Sequence, residues 1–164
     1  MSNREYFTEL SLGIINLLSK YVLIHNEVFG RKSILDIFRG IIPLPFVFKA
    51  IDYETLYIEA ERIQFELEKY SHEISKILFE LENNEFKCEY NDKEYLLTLS
   101  EYILLLIDTV RRLKIIYEKL YGVSQNSVSY NWKEYKKELS EYGNSISKYT
   151  KSGKRLNEMY KKLN

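Results

Sequence analysis

The chain is poor in the residues that cross-link proteins, ligate metals or break helices. One cysteine, Cys88, among 164 residues leaves no internal disulfide, and a lone thiol fits a reducing compartment. Two histidines, His25 and His72, with that one cysteine do not make a zinc site unaided. Six scattered glycines form no phosphate-cradling loop of the G-x-x-x-x-G-K-S/T kind. The Glu-x-x-His pairs of metal-binding bundles are missing, and no serine or cysteine carries the local signature of an activated nucleophile. The carboxylate pairs Glu82/Glu85 and Glu89/Asp92 sit too close in sequence to face one another from two helices. No catalytic residue, metal ligand or cofactor site is therefore assigned, which favours a binding protein over an enzyme.

Long apolar runs are also scarce. Leu10–Ile24 is interrupted by Asn16, Ser19 and Lys20, which fits a buried helix rather than a membrane span. Glu5 and Glu9 flank Arg4 without a small-residue cleavage site, unlike a secretory signal. The expected location is the cytoplasm. Net charge is absent as well, with 24 acids against 24 bases, but the balance is uneven along the chain. Residues 52–94 hold 13 acids and 5 bases, whereas residues 128–164 hold 9 bases and 4 acids. Two readings follow: an acidic helix matched to a basic one within the molecule, or a basic face for an acidic partner.

What the chain has in abundance is heptad rhythm. Val128, Trp132, Tyr135, Leu139, Tyr142, Ile146, Tyr149, Gly153, Leu156, Tyr160 and Leu163 alternate steps of four and three, the mark of a long helix with one apolar seam. Tyr53, Leu56, Ala60, Ile63, Leu67, Tyr70, Ile74, Ile77 and Leu81 do the same, with Asp52 placed as the cap. Arg62/Glu66, Lys69/Glu73 and Lys76/Glu80 mark that helix's solvated face. Leu99, Ile103, Leu106, Val110, Leu113, Tyr117 and Leu120 give a third seam, starting at Thr98 or Ser100. The first helix, from about Asn3 to Phe29 with a stripe from Phe7 to Val28, is apolar almost all round and is expected at the centre of the fold. His25 falls on its apolar side, as a hydrogen-bonded core residue. His72 falls on a solvated face.

The expected fold is all-α: a single domain, 1–164, resembling a four-helix bundle in its pattern of long heptad helices. The helices are predicted at about 3–29, 34–40, 53–81, 99–121 and 128–162. The short 34–40 helix precedes an extended apolar connector around Pro43 and Pro45. Phe86–Tyr90 and Lys93–Leu97 flank Asn91-Asp92 and predict a small β-hairpin over 86–97.

The functional expectation is a protein-binding module, a regulator, inhibitor or scaffold. Its partner is another protein or a second copy of the chain. The candidate interface is the aromatic seam, Trp132, Tyr135, Tyr142, Tyr149, Leu156 and Tyr160, together with Leu105, which interrupts the polar strip of the third helix. Either the last helix outruns the bundle, which would leave its end free to bind, or it pairs with the acidic second long helix, which nearly matches its length. The alternative is nucleic-acid binding by Lys148, Lys151, Lys154, Arg155, Lys161 and Lys162, through neutralised phosphates. Membrane contact through Ile34–Ile51 is a further alternative.

Overall fold

The computed structural model describes residues 3–30, 51–83 and 90–163. They form four helices: α1 (Asn3–Phe29), α2 (Tyr53–Glu82), α3 (Tyr90–Ser124) and α4 (Trp132–Leu163). The molecule is all-helical and packs as a helical bundle, with no strand among the described residues. The predicted short helix at 34–40 and the proline connector lie outside the described residues.

The cap expected at Asp52 is in place. Its carboxylate accepts from the Thr55 backbone N–H at 3.0 Å and from the Thr55 hydroxyl at 2.7 Å, which satisfies one of the unpaired amides of the first turn. Asn131 caps α4 by accepting from the Glu134 N–H at 3.0 Å. Ser127 closes α3: its N–H donates to Gly122 O at 2.9 Å and its hydroxyl at 3.0 Å. Val128 folds back so that its methyl would lie 2.7 Å from any Cβ at position 122. The third helix therefore runs through Gly122 to Ser124, and Val128 leaves the seam. Asn126 makes the turn in the left-handed region, φ 55°, which asparagine tolerates.

The predicted hairpin does not form. Residues 90–97 are the first two turns of α3, while 86–89 lie outside the described residues. A polar Asn-Asp pair suits the start of a helix as well as a turn. Here the helix wins because α4 covers this end. Thr98, expected as a cap, is buried mid-helix, donating to Glu94 O at 2.9 Å and resting on Met159 Sδ at 3.0 Å. Tyr95 likewise packs on Tyr160, ring centroids 6.2 Å apart. With 35 residues in α3 and 32 in α4, the last helix does not outrun its neighbour.

The helices alternate in direction. Tyr6 donates to Glu73 and Gly13 faces Tyr70, so α1 and α2 are antiparallel. Lys114 meets Glu61 at 3.6 Å, far from the α2–α3 connection. Arg112–Glu141 (2.8 Å) and Arg155–Glu101 (3.5 Å) set α4 antiparallel to α3. Lys114 and Arg112 are two residues apart, about 200° around a helix. Since one reaches α2 and the other α4, those helices lie on nearly opposite sides of α3.

α3, not α1, is therefore central. Leu96, Leu99, Ile103, Leu106, Val110, Leu113 and Tyr117 are all essentially inaccessible. α1 lies along one side of the α2–α3–α4 layer. It buries Phe7, Leu10, Ile14, Leu17, Tyr21 and Ile24 and exposes Leu12, Ile15, Val22 and Leu23. By length and composition alone, Glu5–Phe29 is long and apolar enough to cross a membrane.

The acidic and basic helices do not neutralise one another. Among the described residues no ion pair joins α2 to α4; the inter-helix pairs all involve α3. On the solvated face of α2, Arg62 and Lys69 turn back to Glu59 and Glu66, at 2.6 and 2.7 Å. Only Lys76–Glu80, at 3.8 Å, follows the predicted spacing.

Candidate functional site

The most organised polar group in the molecule is a cluster of aromatic tips where α1 meets α3 and α4. Tyr21 Oη and Tyr142 Oη are 2.7 Å apart, and His25 Nδ1 is 2.7 Å from the same Tyr142 oxygen. Tyr117 Oη donates to the Ile24 carbonyl at 2.5 Å. Phe29, Tyr149 and Tyr102 close the cluster: Phe29 lies 5.8 Å from Tyr142, and Tyr149 sits edge-on to Tyr21 at 6.0 Å and to Tyr102 at 6.3 Å. Tyr21 and Tyr142 each expose 1% of their surface. The heptad puts Tyr117, Tyr142 and Tyr149 on seams, and Tyr21 lies on the apolar stripe of α1, so the burial of these rings follows from the pattern. Their hydroxyls must then find partners inside the protein.

Burial pushes the Tyr142, Tyr21 and Tyr117 hydroxyls well above the ordinary tyrosine range. It holds Tyr102 at about 12. Burial also lowers His25, which favours its neutral ring. All four phenols are thus neutral near pH 7, and the cluster stores no charge. Its groups are already bonded to one another, so its evident work is to join α1 to α4.

The seam residues of α4 divide by position. Tyr142 is buried, while Tyr135, Leu139, Ile146, Tyr149 and Leu156 are half-buried against the same core. Trp132 and Tyr160, at the two ends, expose 43% and 39%. Trp132 stacks on Tyr135, centroids 6.0 Å apart. Leu105 is half-buried on the side of α3 that faces α4. Of the basic candidates, Lys148, Lys151, Lys154, Arg155 and Lys161 are exposed on α4, with Arg155 beside Glu101. The Lys162 side chain lies outside the described residues, as does Cys88. His72 is exposed on α2.

Two sets of residues were not singled out by the heptad reading. Ser145 and Ser152 are buried on α4, next to Gly153, at the contact with α3. A Cβ on Gly153 would lie 3.0 Å from the Tyr102 ring. Small residues let two helix backbones approach, and their seven-residue spacing was readable. The second set is apolar and exposed: Ile58, Phe65 and Phe79 on α2, and Leu97 and Leu104 on α3. These repeat at multiples of seven, outside the core positions. A shallow groove runs between Ile58, Phe65 and Lys114.

Among the described residues no group of three or more His, Cys, Asp or Glu is arranged to hold a metal. Comparison with family models, curated proteins and solved structures returned no match.

Proposed function

We propose that the protein is a protein-binding module that acts through helix faces in a reducing compartment such as the cytoplasm. The observation that carries this reading is the run of large apolar side chains left on the outside. Phe65 exposes 57%, Phe79 64% and Leu104 55%. Scattered exposed leucines need no explanation, but a repeat along two adjacent helices favours a docking surface. Tyr135, Tyr142, Tyr149 and Leu156 serve the protein's own core, so the proposed interface moves from that seam to α2 and α3. Trp132 and Tyr160 remain contact points at its ends. The test is affinity capture with the intact chain and with Phe65→Asp. A stoichiometric protein, captured by the first and lost with the second, is expected. Capture unchanged by the substitution, or none at all, would overturn the reading.

A second reading is nucleic-acid binding by the exposed bases of α4. It is favoured by the separation of α4 from the acidic α2, which leaves those lysines without a neutralising neighbour helix. Binding would weaken steeply with salt. A filter-binding titration that retains no nucleic acid at low salt removes it.

A further inference from the structure

The side of α1 turned away from the α2–α3–α4 layer is an apolar stripe. Leu12, Ile15, Val22 and Leu23 stand exposed on it, at spacings of three, seven and eleven residues that keep them on one side of the helix. Its polar members, Asn16, Ser19 and Asn26, are uncharged, and the Ser19 hydroxyl turns back to the Ile15 carbonyl at 3.0 Å. The chain leaves this helix at Gly30 and returns at Ile51. Counting along the antiparallel helices from the Tyr6–Glu73 and Gly13–Tyr70 contacts sets those two residues at one level, to within about two residues. Neighbouring helix ends in a bundle are ordinarily joined by roughly 2–8 residues. Here the link is residues 31–50, and 11 of these 20 are apolar.

We propose that residues 31–50 lie along the outer stripe of α1 and cover it. The reach fits. From Gly30 back to Leu12 is about 27 Å of helix, so the way out and back is about 54 Å. Twenty extended residues span up to about 66 Å.

The charge fits as well. The segment holds Arg31, Lys32, Arg39 and Lys49 against Asp36. It joins α1 to α2, and the margin between those helices is acidic. Glu9 and Glu27 lie about 40° around the helix from Gly13, which faces α2, and only the half-buried Lys20 falls between them. On the α2 side Glu59, Glu66, Glu73 and Glu80 follow at sevens, and Arg62, Lys69 and Lys76 pair with three of them. Other occupants are not matched in this way. A second copy laid α1 on α1 brings acid to acid. An anionic lipid surface attracts exposed bases, whereas the exposed charges among the described side chains of α1 are Glu5, Glu9 and Glu27. Cover from within the chain leaves the stripe on α2 and α3 as the surface for another protein.

The test is limited trypsin digestion of the full chain, read at the Arg39–Gly40 bond, with circular dichroism to check that each variant stays folded. Cleavage should be about tenfold or more slower than in a free peptide of residues 31–50, because it follows the population of the released segment. Ile15→Asp, Leu23→Asp and, from the other side of the contact, Phe46→Asp should each raise the rate about tenfold. Glu9→Gln with Glu27→Gln should raise it about threefold. A bond cut as fast in the folded unsubstituted chain as in the peptide overturns the proposal, whatever the variants do. Protection that the α1 substitutions leave unchanged overturns it too. So does flotation with phosphatidylcholine–phosphatidylglycerol vesicles, or a dimer in sedimentation equilibrium, that Leu23→Asp abolishes: lipid or a second copy then covers the stripe.

Discussion

α4 meets its two neighbours in opposite ways. Against α3 it presents Ser145, Ser152 and Gly153, and the backbones lie close. Against α1 it presents Tyr142 and Tyr149, whose rings reach across to Tyr21, His25 and Phe29. The first contact is steric at its buried centre, with ion pairs to α3 along its solvated margin. The second fills a wider gap with large amphipathic side chains, and each hydroxyl brought inside had to be given a partner. One helix thus shows two solutions to burial, set by the distance to be spanned.

The comparison can be broken most completely with alkali. The buried tyrosines Tyr21, Tyr117 and Tyr142 keep their protons in the folded state to a higher pH than in the unfolded chain. Their contribution to stability is full below the ordinary tyrosine value of about 10 and is lost as pH rises beyond it. Denaturant melts from pH 8 to about 11.5 should show cooperative unfolding that steepens above about pH 10. A curve flat through that range would mean the hydroxyls are not buried.

Substitution at Tyr142 separates ring from hydroxyl. Tyr142→Ala should cost about 3–5 kcal/mol in urea unfolding, as for other buried aromatics. Tyr142→Phe keeps the ring but leaves Tyr21 and His25 without their shared partner, and should cost about 1–3 kcal/mol. Equal losses would show that the hydroxyl bonds are the whole of the effect. No loss for Phe would show that they contribute nothing.

On the acid side the effect is smaller because His25 is the one member of the aromatic cluster that takes up a proton there. Its folded value is lowered by burial, so the unfolded chain takes up a proton first as pH falls. Stability is full above the ordinary histidine value of about 6.5 and declines below it. His25→Gln should flatten the dependence of melting temperature on pH between about 6.5 and 5; an unchanged slope assigns the decline to other groups.

The smallest contrast lies between two glycines of α4. No atom lies within 4 Å of a Cβ built on Gly143, so Gly143→Ala should stabilise the helix by about 0.5–1 kcal/mol. Gly153 abuts Tyr102, and Gly153→Leu should destabilise by about 1–3 kcal/mol through overpacking. Thermal melts of the pair measure how tightly α3 and α4 are set.

The rhythm of the sequence carried the helices well because a buried stripe must repeat with the turn. It placed the seams of α2 and α3 and the middle of the α4 seam inside, and His25 among hydrogen-bonded core residues. It failed where local pattern is ambiguous and a distant element decides. Lys93–Leu97 read as the second strand of a hairpin by themselves; contacts with Met159 and Tyr160 of α4 go with their being helical. That one error also shortened α3 and so created an apparent overhang of α4. The opposite charges of α2 and α4 were plain, but net charge does not say whether two helices are neighbours, and α3 lies between them. Ile58, Phe65 and Phe79 also fall at multiples of seven, but a reading that looks for one apolar seam per helix passes over a second stripe on the outer face.

The placement of α2 and α4 has a consequence for handling the protein. The acid excess on one flank, 8 to 3, and the base excess on the other, 9 to 4, cancel in the total but not in space. Near its isoelectric point of about 6.8, the molecule should still be retained at low ionic strength by both cation and anion exchangers, turning a different flank to each resin.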